Sequence, residues 1–158
     1  RDVAIAVGSD VPALLHGGPV RVRGRGEDVS GVEVASMWWV LLPQPFQVSS
    51  RDAYRWWDED GARPGPEPDV IVEAASVGDV DALSSLVFND LEPPVSGRHT
   101  EVVGATRSLL EAGALTAIMC GSGPTVAGLC RDAPHAAEVA AATEGIAVHS
   151  IGATAPLR

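Results

Sequence analysis

Three short segments of this chain carry residue types and spacings able to do chemistry. In Gly8-Ser9-Asp10-Val11-Pro12 a carboxylate stands in a turn ahead of an apolar burst. From there Asp10 can take or orient the proton of a substrate hydroxyl, although an isolated turn aspartate more commonly stabilises its own turn. Gly121-Ser122-Gly123-Pro124 lies between two apolar runs. Its glycines let backbone amides approach an anion closely, and the Ser122 hydroxyl adds a donor. A hairpin turn without a ligand is the commoner use of such a sequence. Tyr54 stands on one side of a helical pattern beside a loop, where its ring can stack on a base. Asn89-Asp90-Leu91-Glu92-Pro93 reads equally as a ligand-facing loop or an exposed helix end. Trp38, Trp39, Trp56 and Trp57 are most simply packing residues, and His16, ahead of Gly17-Gly18, reads as the end of a strand.

The elements that must position these groups follow from hydrophobic pattern and punctuation. Residues 1–35 are rich in Gly, Val and Arg, with apolar bursts at Val11 to Leu15, Val20 and Val22. Strands and tight turns suit this stretch better than a helix. Met37 to Leu42 is a continuous apolar run stopped by Pro43 and reads as a buried strand. Ser49 and Asp52 form a capping-box pattern before a helix that stops near Gly61, and Pro64 to Pro68 is a linker or loop. Ser76 and Asp79 repeat that pattern ahead of the stripe Val80, Leu83, Val87. A second helix runs over 101–112 to a stop at Gly113. Then come strands from Ala117 to Cys120 and from Thr125 to Cys130, an alanine-rich helix after Asp132 and Pro134, and a last strand through Ile146, Val148 and Ser150. The pattern predicts an α+β fold, a sheet with helices packed on one face.

Composition narrows the functions. The 158 residues hold 11 basic and 21 acidic side chains for a net charge of −10, which opposes binding to a nucleic-acid backbone. All eleven basic residues are arginine; there is no lysine. No apolar run is long enough to span a bilayer. Across a hairpin, Cys130 falls about five residues beyond the partner of Cys120, on the order of 16 Å, so no disulfide joins them and two buried free thiols are expected. No metal-ligand spacing is visible. The chain begins at Arg1, inside what reads as an active-site turn, and the expectation is the C-terminal part of a longer polypeptide.

Taken together the motifs are more specific than any one of them. GSDVPALLHGG, GRGE at Gly24 to Glu27, FNDLEP at Phe88 to Pro93, CGSGPTV at Cys120 to Val126 and GATAPLR at Gly152 to Arg158 occur in that order. The series resembles the C-terminal half of the 4-diphosphocytidyl-2-C-methyl-D-erythritol kinase family, within the galactokinase–homoserine kinase–mevalonate kinase–phosphomevalonate kinase (GHMP) superfamily. The resemblance implies a cytoplasmic kinase of non-mevalonate isoprenoid synthesis. It would use ATP, with substrate-associated Mg2+, to phosphorylate the 2-hydroxyl of 4-diphosphocytidyl-2-C-methyl-D-erythritol. It implies Asp10 as the catalytic aspartate, Gly121, Ser122 and Gly123 as substrate-binding, and Tyr54 as the ring stacking on cytosine. Ser9 stands where the family usually has alanine. Residues 1–35 would be the end of the N-terminal domain and residues 36–158 the C-terminal domain. The family's catalytic lysine and ATP loop are not in this sequence, so no activity is expected of the chain alone, and the exposed Val11 to Leu15 edge should promote self-association. A homodimer is compatible with this reading. The alternatives are a homoserine- or mevalonate-type kinase and a non-catalytic α+β binding or assembly module.

Overall fold

In the computed structural model, residues 6–61, 64, 65 and 67–150 are described; GATAPLR and Arg1 lie outside them. Helix α1 (Val11–His16) is followed by the antiparallel ribbon of β1 (Val20–Arg23) and β2 (Asp28–Gly31). Then come β3 (Met37–Leu42), α2 (Ser50–Glu59), α3 (Asp69–Val77), α4 (Val80–Leu86), α5 (Glu92–Ser96) and α6 (Thr100–Glu111). The chain continues through β4 (Thr116–Met119), β5 (Val126–Cys130), α7 (Ala133–Thr143) and β6 (Ile146–Ser150).

The main sheet has the order β4-β5-β3-β6, with every neighbouring pair antiparallel. The central strands β3 and β5 pair Trp38 with Cys130 through Leu42 with Val126. All five residues of β5 are buried, which a central strand requires when both its faces are covered. Alternation then sorts the core. Val40, Val126 and Cys130 face a layer built from Val102, Ala105 and Leu109 of α6, Ala136 and Val139 of α7, and Ala53 of α2. Met37 and Leu129 face the other way, onto Ala74 and Ala75 of α3 and Leu83 of α4. The fold is thus α+β with its larger helical layer on one face, and α3 and α4 add a smaller cover on the other. Among the described residues, no helix is long and apolar enough to cross a membrane.

Four local expectations need correction. Val11 to Leu15 is a helix, not a strand. Pro12 occupies the first turn, where its missing N–H costs nothing, Ala13, Leu14 and Leu15 are good helix formers, and Gly17 closes the helix in the left-handed region at φ 70°. His16 accordingly ends a helix, and Leu14 and Leu15 are exposed on it. Ser49 is the N-cap of α2, yet its side chain makes no capping hydrogen bond. Ser76 lies within α3 and donates to the Glu73 carbonyl; the cap of α4 is Asp79, whose carboxylate accepts from the Ala82 N–H at 2.9 Å. Of the two free cysteines Cys130 is buried but Cys120 is exposed, because it lies just past the end of β4 where the chain enters the glycine turn. Its thiol is nevertheless pushed up from its ordinary pKa, first by burial of the sulfur and then by the Glu92 carboxylate.

Candidate functional site

A cleft of about 870 Å³ lies where five separated stretches of chain meet, Pro64 of the linker among them. Ser9 and Asp10 precede α1. Ser50, Tyr54, Trp57 and Asp58 come from α2, Phe88 to Leu91 from the α4–α5 connection, and Ile118, Met119, Gly121 and Ser122 from β4 and the turn after it. The α2 residues fall at i, i+4, i+7 and i+8, one stripe of a 3.6-residue helix. The same helix buries Ala53 and packs Trp56 and Trp57 toward the core. That anchorage fixes which stripe faces the cleft. Tyr54 is 62% exposed, so its ring face is open to a ligand.

Four of the five residues singled out in the sequence therefore line one cavity: Asp10, Tyr54, Gly121 and Ser122. Gly123 lies one residue further and is not among the lining residues. The turn is formed by the Gly123 N–H donating to the Cys120 carbonyl at 2.9 Å, while the Cys120 N–H donates to the Thr125 carbonyl at 2.8 Å. Gly121 and Gly123 both have positive φ, 55° and 84°. Such angles suit glycine and strain any residue with a Cβ. Ser122 Oγ lies 3.1 Å from Ser50 Oγ, which ties the turn to the first residue of α2. Ser9 Oγ donates to Asp10 Oδ1 at 3.3 Å.

By sequence Asn89 to Pro93 reads equally as a ligand-facing loop or an exposed helix end; the structure places Asn89 and Glu92 against the turn. Asn89 Nδ2 donates to the Met119 carbonyl at 2.6 Å and to the Gly121 carbonyl at 2.8 Å. Its Oδ1 accepts from the Leu91 N–H at 2.9 Å. Glu92 Oε2 accepts from the Met119 N–H at 3.0 Å. Asp90 reaches the linker, accepting from the Gly65 N–H at 2.7 Å. Proximity in sequence between Asn89 and Pro93 hinted at a special loop, but only the path of β4 shows which backbone it serves.

Among the described residues, the cleft lining carries the carboxylates of Asp10, Asp58 and Asp90 and no basic side chain. Among the described residues there is no group of three or more His, Cys, Asp or Glu placed to hold a metal ion. The chemistry on offer is hydroxyl recognition, proton acceptance and ring stacking; the Cys120 and Gly123 N–H groups are committed within the turn, which leaves those of Gly121 and Ser122 as its candidate donors to an anion.

Residues 71–144 match the family described as GHMP kinases C terminal. The chain is 40% identical over 134 residues to the 4-diphosphocytidyl-2-C-methyl-D-erythritol kinase of Symbiobacterium thermophilum, an alignment covering 83% of the chain and 47% of that relative. To the enzyme of the same name from Mycolicibacterium smegmatis it is 37% identical over 153 residues, 92% of the chain and 48% of the relative. The chain thus spans about half the length of these relatives. A crystal structure of 4-(cytidine 5'-diphospho)-2C-methyl-D-erythritol kinase superposes with a TM-score of 0.76 at 25% identity, covering 94% of this chain and 54% of that one. By sequence and by fold, residues 71–144 match the C-terminal model of the GHMP kinases, and the chain is similar, over most of its length, to the C-terminal part of the 4-diphosphocytidyl-2-C-methyl-D-erythritol kinases.

Proposed function

We propose that this chain supplies the acceptor side of an ATP-dependent small-molecule kinase that phosphorylates the 2-hydroxyl of 4-diphosphocytidyl-2-C-methyl-D-erythritol, a cytoplasmic step. The observation that carries the reading is the convergence of Asp10, Tyr54 and the Gly121–Ser122 turn on one cleft from distant parts of the sequence. The names of the relatives sharing 37–40% identity support this substrate class. An exposed tyrosine ring suits a nucleobase. Carboxylates without cations suit a polyol and a departing proton rather than a triphosphate.

In this reading the acceptor hydroxyl lies between Asp10 and the glycine turn. Its oxygen forms a bond to the γ-phosphorus of MgATP as the bond from that phosphorus to the β,γ-bridging oxygen breaks, releasing ADP. The hydroxyl proton passes to the Asp10 carboxylate. Phosphoryl transfer depends mainly on positioning and charge stabilisation; the turn's backbone N–H groups serve the second, and Asp10 serves the first and accepts the proton. Residues 1–35 are read as the end of an N-terminal domain and residues 36–158 as the C-terminal domain. The separation of the β1–β2 ribbon from the four-stranded sheet supports this division.

The test is Asp10→Asn in the polypeptide restored to full length. The amide keeps the shape and loses the base, and turnover should fall by about 10²–10⁴. Near-normal turnover would remove Asp10 from the mechanism. Calorimetric titration with cytidine and uridine nucleotides separates this reading from a homoserine- or mevalonate-type kinase, which has no reason to prefer cytosine. Tyr54→Ala should weaken cytidine binding by about 1–3 kcal/mol, the usual worth of a base–aromatic stack.

A further inference from the structure

We propose that Asn89 and Glu92 are positioning residues that set the geometry of the Gly121–Gly123 turn, an inference that rests on the kinase reading of that turn. Among the described residues β4 is an edge strand, with β5 on one side of it and no strand on the other. An open edge leaves alternate N–H and C=O groups without a ladder partner. At Met119, the last residue of the strand, these groups are met by side chains instead. Glu92 accepts the Met119 N–H and Asn89 donates to the Met119 carbonyl. The pair does at this position what a neighbouring strand would do.

Asn89 reaches two residues further. The same Nδ2 group donates to the Gly121 carbonyl, so one amide spans Cys120 and ties the end of the strand to the start of the turn. An amide nitrogen has two hydrogens, and both are used. Its orientation is fixed by chemistry, because the opposite flip would set Oδ1 against two carbonyl oxygens and Nδ2 against the Leu91 N–H. Met119 is 2% exposed and its side chain is packed in the core. The turn is thus referenced to the core through Met119 and to the α4–α5 connection through Asn89. Peptide planes that present N–H groups to a reacting oxygen must be held to a fraction of an ångström, and a displacement of about 1 Å can cost about 10²-fold in rate.

A plainer role for Asn89 is local: its Oδ1 bond to the Leu91 N–H and its carbonyl's bond from the Glu92 N–H form the start of α5. Asn89→Asp separates the two. The aspartate keeps the size and the acceptor for Leu91, and so keeps the helix start, but replaces both donors with an oxygen facing two carbonyls. Glu92→Gln keeps an acceptor for the Met119 N–H and is the conservative control, with Glu92→Ala as its disruptive partner.

Two measurements are made. Amide hydrogen exchange on the 158-residue chain should show the Met119 and Gly123 N–H groups exchanging about tenfold faster in Asn89→Asp and Glu92→Ala, with the amides of β3 and α7 unchanged and Glu92→Gln near wild type. In the full-length polypeptide, Asn89→Asp should lower kcat about 100-fold with KM for the acceptor changed less than threefold, and Glu92→Gln should retain most of the turnover. Unchanged exchange at Met119 and Gly123 would overturn the proposal. So would faster exchange with unaltered kcat. Asp10→Asn, run alongside, tells the two ideas apart: if that variant also turns over normally, it is the kinase reading that fails.

Discussion

Adding one methyl group at each glycine of the turn should have two different effects, although the two positions are a residue apart and both have positive φ. At Gly121 (φ +55°) a Cβ would meet nothing within 4 Å. The penalty for alanine there is the left-handed backbone alone, about 1–2 kcal/mol, partly offset because alanine also stiffens the unfolded chain. At Gly123 (φ +84°) the same atom would lie 2.6 Å from Met119 Sδ and 3.3 Å from its Cγ. Met119 is buried and its backbone is held by Asn89 and Glu92, so it cannot easily retreat. Overpacking of that kind adds about 1–3 kcal/mol. Gly121→Ala should therefore cost about 1 kcal/mol and Gly123→Ala about 2–4 kcal/mol. Urea titration followed by tryptophan fluorescence reads the difference. With a slope of about 2 kcal/mol per molar, the two midpoints should differ by about 1 M. Equal midpoints, or a lower one for Gly121→Ala, would refute the claim that the turn is braced on the core at Gly123 and free toward the cleft at Gly121. Gly121→Ala is also the cleaner probe of catalysis, since its methyl group enters the cleft without disturbing Met119.

Other outcomes follow from the same geometry. The chain alone, incubated with ATP, magnesium and the cytidine diphosphate substrate, should release no ADP above background, because the described residues lining its cleft offer no cationic side chain for a triphosphate; measurable turnover would contradict the acceptor-side reading. Asp79→Ala should lower stability by about 1 kcal/mol through loss of the bond to the Ala82 N–H, whereas Ser49→Ala, which removes no capping bond, should change the urea midpoint little. Arg98 donates to both carboxylate oxygens of Asp60, at 2.8 and 2.9 Å, and holds that carboxyl below its ordinary pKa mainly through these bonds. A depressed folded-state pKa contributes stability above the unfolded value, about pH 4, and loses it as pH falls through the folded value. Arg98→Gln should accordingly flatten the decline of Tm below about pH 4, and parallel acid limbs in the two proteins would count against the pair.

Much of the α+β frame follows from sequence, and the reason is physical. Met37 to Leu42 and Thr125 to Cys130 are apolar runs short enough, and sharply enough punctuated by Pro43 and the glycine turn, to read as strands. Gly113, Asp132 and Pro134 mark helix ends by local backbone chemistry, which does not depend on the rest of the fold. The motifs around Asp10, Phe88 and Gly121 are legible for the same reason, since unusual glycines and a turn aspartate declare themselves locally. Where local signals conflict, the tertiary structure decides. Val11 to Leu15 is apolar enough for a strand edge, but with Pro12 in its first turn and Gly17 closing it, it folds as an exposed helix. Cys120 looks like the buried end of a strand and emerges from it because the strand stops at Met119. The role of Asn89 and Glu92 is invisible to any local reading. Their partners lie 27 to 32 residues away, and the need they meet, an open strand edge beside a glycine turn, exists only once the strand order β4-β5-β3-β6 leaves β4 at the margin of the sheet.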